Sequence, residues 1–161
     1  MNPDGIFSAL NFQEAEYLLF GGVNHMLVHE PVTTFDVDIW IKDTTENRAK
    51  ANAALHDLEA TWGIDDRSWG PVPRDASRLI RQPVFYMLTK HGPLDLFREV
   101  LGLEGRFAEC YSASAIRKTG SGTRFYSLSD RHMLECQLAL SPAERKLDRI
   151  RKLCEVVGIK E

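Results

Sequence analysis

Nothing in this chain approaches the roughly 18 to 20 uncharged apolar residues that a membrane span needs. The opening Met1-Asn2-Pro3-Asp4 shows neither the basic start nor the apolar run of a signal peptide. A cytoplasmic protein with no membrane partner is therefore expected. Cysteine is scarce: Cys110, Cys136 and Cys154 are odd in number, widely spaced, and form no Cys-x-x-Cys pair. That pattern suggests neither a zinc ribbon nor a disulfide framework, and reads as three reduced thiols buried in helices or at their edges. A basic surplus is missing as well, since 20 Lys and Arg stand against 23 Asp and Glu. A protein that coats duplex DNA carries an excess of positive charge, so no duplex DNA partner is expected. Repeats, low-complexity tracts and dividing linkers are also absent.

What remains is an ordinary globular composition, 43% hydrophobic and 27% charged over 161 residues. A length of this order suits one domain with a real core, here 1–161, with the core at about 6–128 and C-terminal helices at about 129–157. Ile6, Phe7 and Leu10 recur at helical period within 3–15. Tyr17-Leu-Leu-Phe20 is a short apolar run suited to a buried strand, followed by Gly21-Gly22 and a helix from Val23 to His29 that Pro31 ends. Phe35 to Ile41 alternates with period two, which predicts a strand. A helix is predicted from Glu46 to Trp62 along an Ala51, Ala54, Leu55, Leu58, Trp62 stripe, and 63–82 reads as a long surface loop. Strands at 84–88 and 94–97 and a second hairpin around Gly120-Ser-Gly122 surround a helix at 104–111. Helices at 129–140 and 142–157 end the chain, with Ser129 and Ser141 as N-caps. Helices interleave with strands and two connections are hairpins, so the fold class is α+β, a mixed sheet flanked by helices.

The chemistry concentrates on three aspartates. Successive strand residues point to opposite faces, so Asp36 and Asp38 share one face while Phe35, Val37, Ile39 and Ile41 share the other. Two carboxylates so placed in an apolar strand repel one another, and burial raises their pKa values unless a cation holds both ionised. Mg²⁺, which prefers carboxylate and phosphate oxygens, removes that conflict. Asp95 sits in a similar setting, facing away from Leu94 and Leu96. If its strand lies beside 35–41, three carboxylates converge as a two-metal phosphoryl-transfer site requires. Gly21-Gly22 adds backbone amides that can approach a phosphate with no Cβ in the way, although such a pair also serves as a plain tight turn.

Taken together, the run Tyr17-Leu-Leu-Phe-Gly-Gly-Val-Asn-His-Met-Leu-Val-His29, then Pro31-Val-Thr-Thr-Phe-Asp-Val-Asp-Ile-Trp-Ile41, resembles the nucleotidyltransferase superfamily. The likeness is to small bacterial members related to the toxin components of toxin–antitoxin systems, and it spans about residues 6 to 153. A strand, Gly-Gly, a helix, Asp-x-Asp and a later Asp, here in Gly92-Pro-Leu-Asp-Leu-Phe97, carry it. The resemblance implies that Gly21 and Gly22 cradle a nucleoside triphosphate, with Thr34 beside them, and that Asp36, Asp38 and Asp95 ligate Mg²⁺ or Mn²⁺. It implies transfer of a nucleoside monophosphate from an NTP to a hydroxyl of tRNA, a protein or a small molecule, with toxin-like activity restrained by an antitoxin-like partner. Asp95 would also help activate the attacking hydroxyl. Two departures stand out. Val32 occupies a position where many relatives have Arg, and His132-Met-Leu-Glu-Cys-Gln137 and Ser141-Pro-Ala-Glu-Arg-Lys146 lack the Lys and the Arg-Pro-Lys-Asp segment of relatives.

Other residues have milder readings. His25 and His29 lie four apart but lack the Glu of a His-Glu-x-x-His zinc motif. His29 is left to touch the nucleotide or to cap its helix. Arg145, Lys146, Arg149, Arg151 and Lys152 form a mixed-charge face with Glu144, Asp148 and Glu155, from which one or two could replace the missing Lys near the phosphates. Arg117, Lys118 and Arg124 on the second hairpin invite the same reading. Two alternatives to an active transferase remain: a degenerate module that binds nucleotide or protein without turnover, and a glycosyltransferase using Asp-x-Asp for a nucleotide sugar. The short chain and the Gly-Gly-helix element sit poorly with the latter.

Overall fold

In the computed structural model, which describes residues 1–160, each element begins where local chemistry starts it. Asn2 accepts from the Gly5 amide and Pro3 takes the first helical position, so α1 (Pro3–Phe12) starts cleanly and buries Ile6, Phe7 and Leu10. Strand β1 (Tyr17–Phe20) runs straight into α2 (Gly21–Val28), and β2 (Val37–Ile41) follows a loop. Thr44 accepts from the Asn47 amide and caps α3 (Thr45–Asp57). Short strands β3 (Thr61–Trp62) and β4 (Gly70–Pro71) and a 3-10 helix (Ala76–Ile80) precede the hairpin of β5 (Val84–Thr89) and β6 (Gly92–Phe97). Then come α4 (Phe107–Ser112), the hairpin of β7 (Ala115–Lys118) and β8 (Arg124–Ser127), α5 (Asp130–Ala139) and α6 (Leu147–Val157).

All eight strands form one sheet in the order β4-β3-β5-β6-β2-β1-β8-β7. β2 pairs with β6, and β1 with β8, in parallel, and the other pairings are antiparallel. The fold is therefore α+β with a mixed sheet, as the interleaved pattern implies. Side-chain alternation splits its core in two. Tyr17, Leu19, Val37, Ile39, Ile41, Leu94 and Leu96 pack with residues of α1 and α3. Leu18, Phe20 and Trp40 pack on the other face with Leu103, Cys110, Met133, Leu134 and Leu153.

Several boundaries differ from the sequence expectation. Helix α3 stops at Asp57 rather than Trp62, because Glu59 adopts a left-handed φ of 52° and turns the chain back. Trp62 instead joins β3 and stacks on Phe85 with ring centroids 4.8 Å apart. The expected loop at 63–82 contains β4 and the 3-10 helix. Helix α6 begins at Leu147, not 142, since the Glu144 amide bonds the Ser141 carbonyl at 2.9 Å and closes a turn that stops short of a helix. Finally, β2 starts at Val37, so Phe35 lies outside the strand and is 77% exposed instead of facing the core.

Candidate active site

The parallel pairing of β2 and β6 sets Asp38 directly opposite Asp95. Asp36, at the end of the loop entering β2, points to the same place. Oxygens of Asp36, Asp38 and Asp95 all lie within 4.8 Å of one another. Three carboxylates this close cannot all stay charged without help. Burial, then the charges of Asp36 and Asp95, push Asp38 up to about 8, an effect that Arg149 partly offsets. Asp95 rises to about 7, chiefly by burial and then by Asp36.

Gly21 and Gly22 complete one wall. β1 delivers the chain beside Asp38, and α2 begins at once with Gly21 at φ +71°. A Cβ on Gly21 would sit 2.1 Å from Asp38 Oδ2, and one on Gly22 would meet Thr34 Oγ1 at 2.7 Å and Arg149 Nη2 at 3.0 Å. Only glycine fits where the backbone passes this close to the acids. No side chain caps the start of α2, so its first amides remain free for an anion. The predicted Gly21, Gly22, Thr34, Asp36, Asp38 and Asp95 are thus brought together.

His29 is not. It stands at the far end of α2 as its C-cap residue, with its Nε2 2.6 Å from Asp130 Oδ1. Of its two readings the geometry leaves it the cap, and it ties α2 to α5 instead of reaching the glycine cradle. His25 is buried, and that burial lowers its pKa. Arg117, Lys118 and Arg124 lie on β7 and β8 at an outer edge of the sheet, away from the aspartates.

One cation does reach the site. Arg149, half-buried, stands near Asp38, and burial lowers its pKa while Asp38 raises it. With Lys146 it lines a cavity of about 270 Å³ that also touches Gly21, Gly22, Asp38 and Phe97. The sequence carried a signal for this choice. On a helix, Arg149 shares the inward stripe of Ile150, Leu153 and Cys154, of which Leu153 and Cys154 are buried. Val100, Met133 and Leu140 give the same cavity an apolar wall. A second group of potential ligands, Glu109, Cys110 and His132, has its carboxylate already paired with Arg106 at 2.6 Å.

No family model matches the chain, and no curated protein matches it either. Solved structures do match. The solution structure of the antibiotic-resistance factor ANT(2'')-Ia is similar at a TM-score of 0.57 and 13% identity, covering 96% of this chain and 81% of that one. Its crystal structure in complex with adenylyl-2''-tobramycin also gives 0.57 at 13% identity, covering 95% and 86%. A protein of Thermotoga maritima assigned as a nucleotidyltransferase gives 0.54 at 13% identity, again over 95% and 86%. At that identity the likeness speaks for architecture: this chain has the nucleotidyltransferase-like fold along nearly its whole length.

Proposed function

We propose that the protein is a metal-dependent nucleotidyltransferase that moves a nucleoside monophosphate from an NTP to a hydroxyl acceptor. The observation that carries this reading is the meeting of Asp36, Asp38 and Asp95 beside a glycine cradle that admits no side chain. Hard carboxylate oxygens crowded closely enough to raise two of their pKa values suit Mg²⁺ or Mn²⁺, with Asp36, Asp38 and Asp95 as the ligands. When bound, the metal supplies neutralising charge for the carboxylates and the triphosphate.

The chain's own groups have distinct tasks. Free amides at Gly21 and Gly22 hold phosphate oxygens, with Thr34 packed against them. Arg149 on α6 and Lys146 just before it face the phosphates and answer the charge missing at Val32 and in α5. The apolar wall of Phe97, Val100 and Met133 accepts the base. In the transfer, the acceptor oxygen bonds to the α-phosphorus as the bond to the bridging β-phosphate oxygen breaks. Pyrophosphate leaves with that electron pair, and the hydroxyl proton passes to Asp95 and then to water. Activity as a toxin-like component in the cytoplasm, with an antitoxin-like partner, extends the reading by the sequence resemblance. ANT(2'')-Ia, held with adenylyl-2''-tobramycin, supports a hydroxyl as the acceptor group.

The test is isothermal titration of each NTP with Mg²⁺ into the wild type and into Asp36→Ala/Asp38→Ala. Mg²⁺-dependent binding that the double substitution abolishes is the expected result. A wild type that binds no NTP removes the reading.

A further inference from the structure

The cleft beside the aspartates changes character along its length. Arg149 stands at Gly22 and Asp38, and Lys146 and Glu144 precede it along the chain, toward the α5–α6 turn. Gln137 lines the same cavity one helical turn after Met133, so both stand on one side of α5. Its Oε1 accepts from the Lys146 amide at 2.8 Å. That bond fixes the amide plane and leaves Nε2, a donor only, for the cavity. Glu144 is held by the turn, where its own amide bonds the Ser141 carbonyl at 2.9 Å. Ser141 Oγ donates to Glu144 Oε2 at 3.0 Å, and among the described residues no Lys or Arg pairs with this carboxylate. An unpaired carboxylate repels a triphosphate, so its place in this cleft calls for donors from the other half of the nucleotide.

We infer that Gln137 and Glu144 read the base of the NTP, and that this base is guanine. The inference rests on the transferase reading above and names its nucleotide. With the phosphates at Gly21, Gly22 and Arg149 and the base against Val100 and Met133, the edge of the base turns to the α5–α6 turn. There it meets the two acceptor oxygens of Glu144 and the donor Gln137 Nε2. Guanine presents N1–H and its 2-amino group side by side, with the O6 acceptor next to N1–H. The two N–H groups match the two carboxylate oxygens, and O6 takes the Gln137 N–H. Oε2 keeps a second lone pair beside the one that Ser141 engages. Adenine and cytosine each set a ring-nitrogen lone pair beside their amino group, and that lone pair faces a carboxylate oxygen and is repelled. Uracil offers a single N–H between two carbonyl oxygens. Of the four bases, guanine alone has two adjacent donors on this edge.

Isothermal titration of GTP, ATP, CTP and UTP with Mg²⁺ into the full chain tests this. The wild type binds GTP about tenfold or more tighter than the other three. ITP, which keeps N1–H and O6 but lacks the 2-amino group, falls between GTP and ATP. Glu144→Gln replaces one acceptor by a donor that suits adenine N1, so GTP affinity drops about tenfold and ATP affinity rises. Glu144 is exposed, so the fold persists in this variant, and the comparison of ITP with GTP needs no variant at all. Wild-type affinity for another NTP that equals or exceeds that for GTP overturns the base assignment and leaves the transferase reading standing. ITP binding as tight as GTP, or a GTP preference that Glu144→Gln leaves intact, overturns it equally. An equal loss for GTP and ATP makes Glu144 a prop of the α5–α6 turn and overturns it too. A wild type that binds no NTP removes the transferase reading itself.

Discussion

Along β2 the side chains alternate between two environments with opposite duties. Val37, Ile39 and Ile41 enter a face closed by α1 and α3, where they are fully buried among other apolar groups. Asp38 and Trp40 enter the face of α4, α5 and α6, where the apolar cover is broken by three carboxylates and a cleft. One strand can serve both because its period is two. The packed face contributes stability and the other gives some of it up, since burying Asp38 near two like charges opposes folding whenever it is ionised. Strain of this kind belongs where a cation is meant to relieve it.

Opposite effects of single substitutions on the two faces sharpen that contrast most. Leu96→Ala, on the packed face, should cost about 2–5 kcal/mol in urea unfolding while the folded protein still binds NTP. Asp38→Asn should stabilise the metal-free protein at alkaline pH while abolishing Mg²⁺-dependent NTP binding. The sign follows from Asp38 rising to about 8 from an ordinary 3.8. The folded state holds that proton more tightly than the unfolded chain, so stability is greatest below about 4 and declines as pH climbs to about 8. The substituted protein lacks this decline, and the gap at pH 8 should reach a few kcal/mol and close when Mg²⁺ is added to the wild type. Parallel pH curves for the two proteins would break the comparison.

A smaller effect is expected across the cleft. Arg149→Ala should weaken NTP binding about tenfold with little change in unfolding, and Arg149→Lys should recover part of it. Equal binding by all three would show that α6 contributes shape and not charge.

The aspartates and glycines were legible from sequence because their signals are local: strand alternation, a glycine pair at a strand–helix junction, and spacing. Their convergence was not, because it depends on β6 lying parallel beside β2, a pairing between residues 57 apart at Asp38 and Asp95 that no local pattern encodes. Arg149 was ambiguous for a related reason. Its charge run reads as a solvated face until the packing of Leu153 and Cys154 fixes which side of α6 turns inward. Trp62 shows the converse failure, where an apolar residue in phase with a helix was taken out of it by the left-handed turn at Glu59. Tyr86 carried no signal either, since its place opposite Asp95 depends on the register of β5 against β6.

His29 provides the smallest test, and it separates the two sides of α2. Its ring sits 2.6 Å from Asp130, with 11% of the His29 side chain exposed and 32% of that of Asp130. This hydrogen bond to a carboxylate joins the end of α2 to the start of α5, and losing it leaves Asp130 without that partner. His29→Ala should therefore cost about 1–3 kcal/mol in unfolding. NTP affinity should hardly move, because the glycine cradle is at the other end of an eight-residue helix, about 12 Å away at 1.5 Å per residue. A fall in NTP affinity with no loss of stability would return His29 to the nucleotide and move the cleft along α2. Loss of stability alone keeps the division in which one end of α2 binds phosphate and the other holds the helix in place.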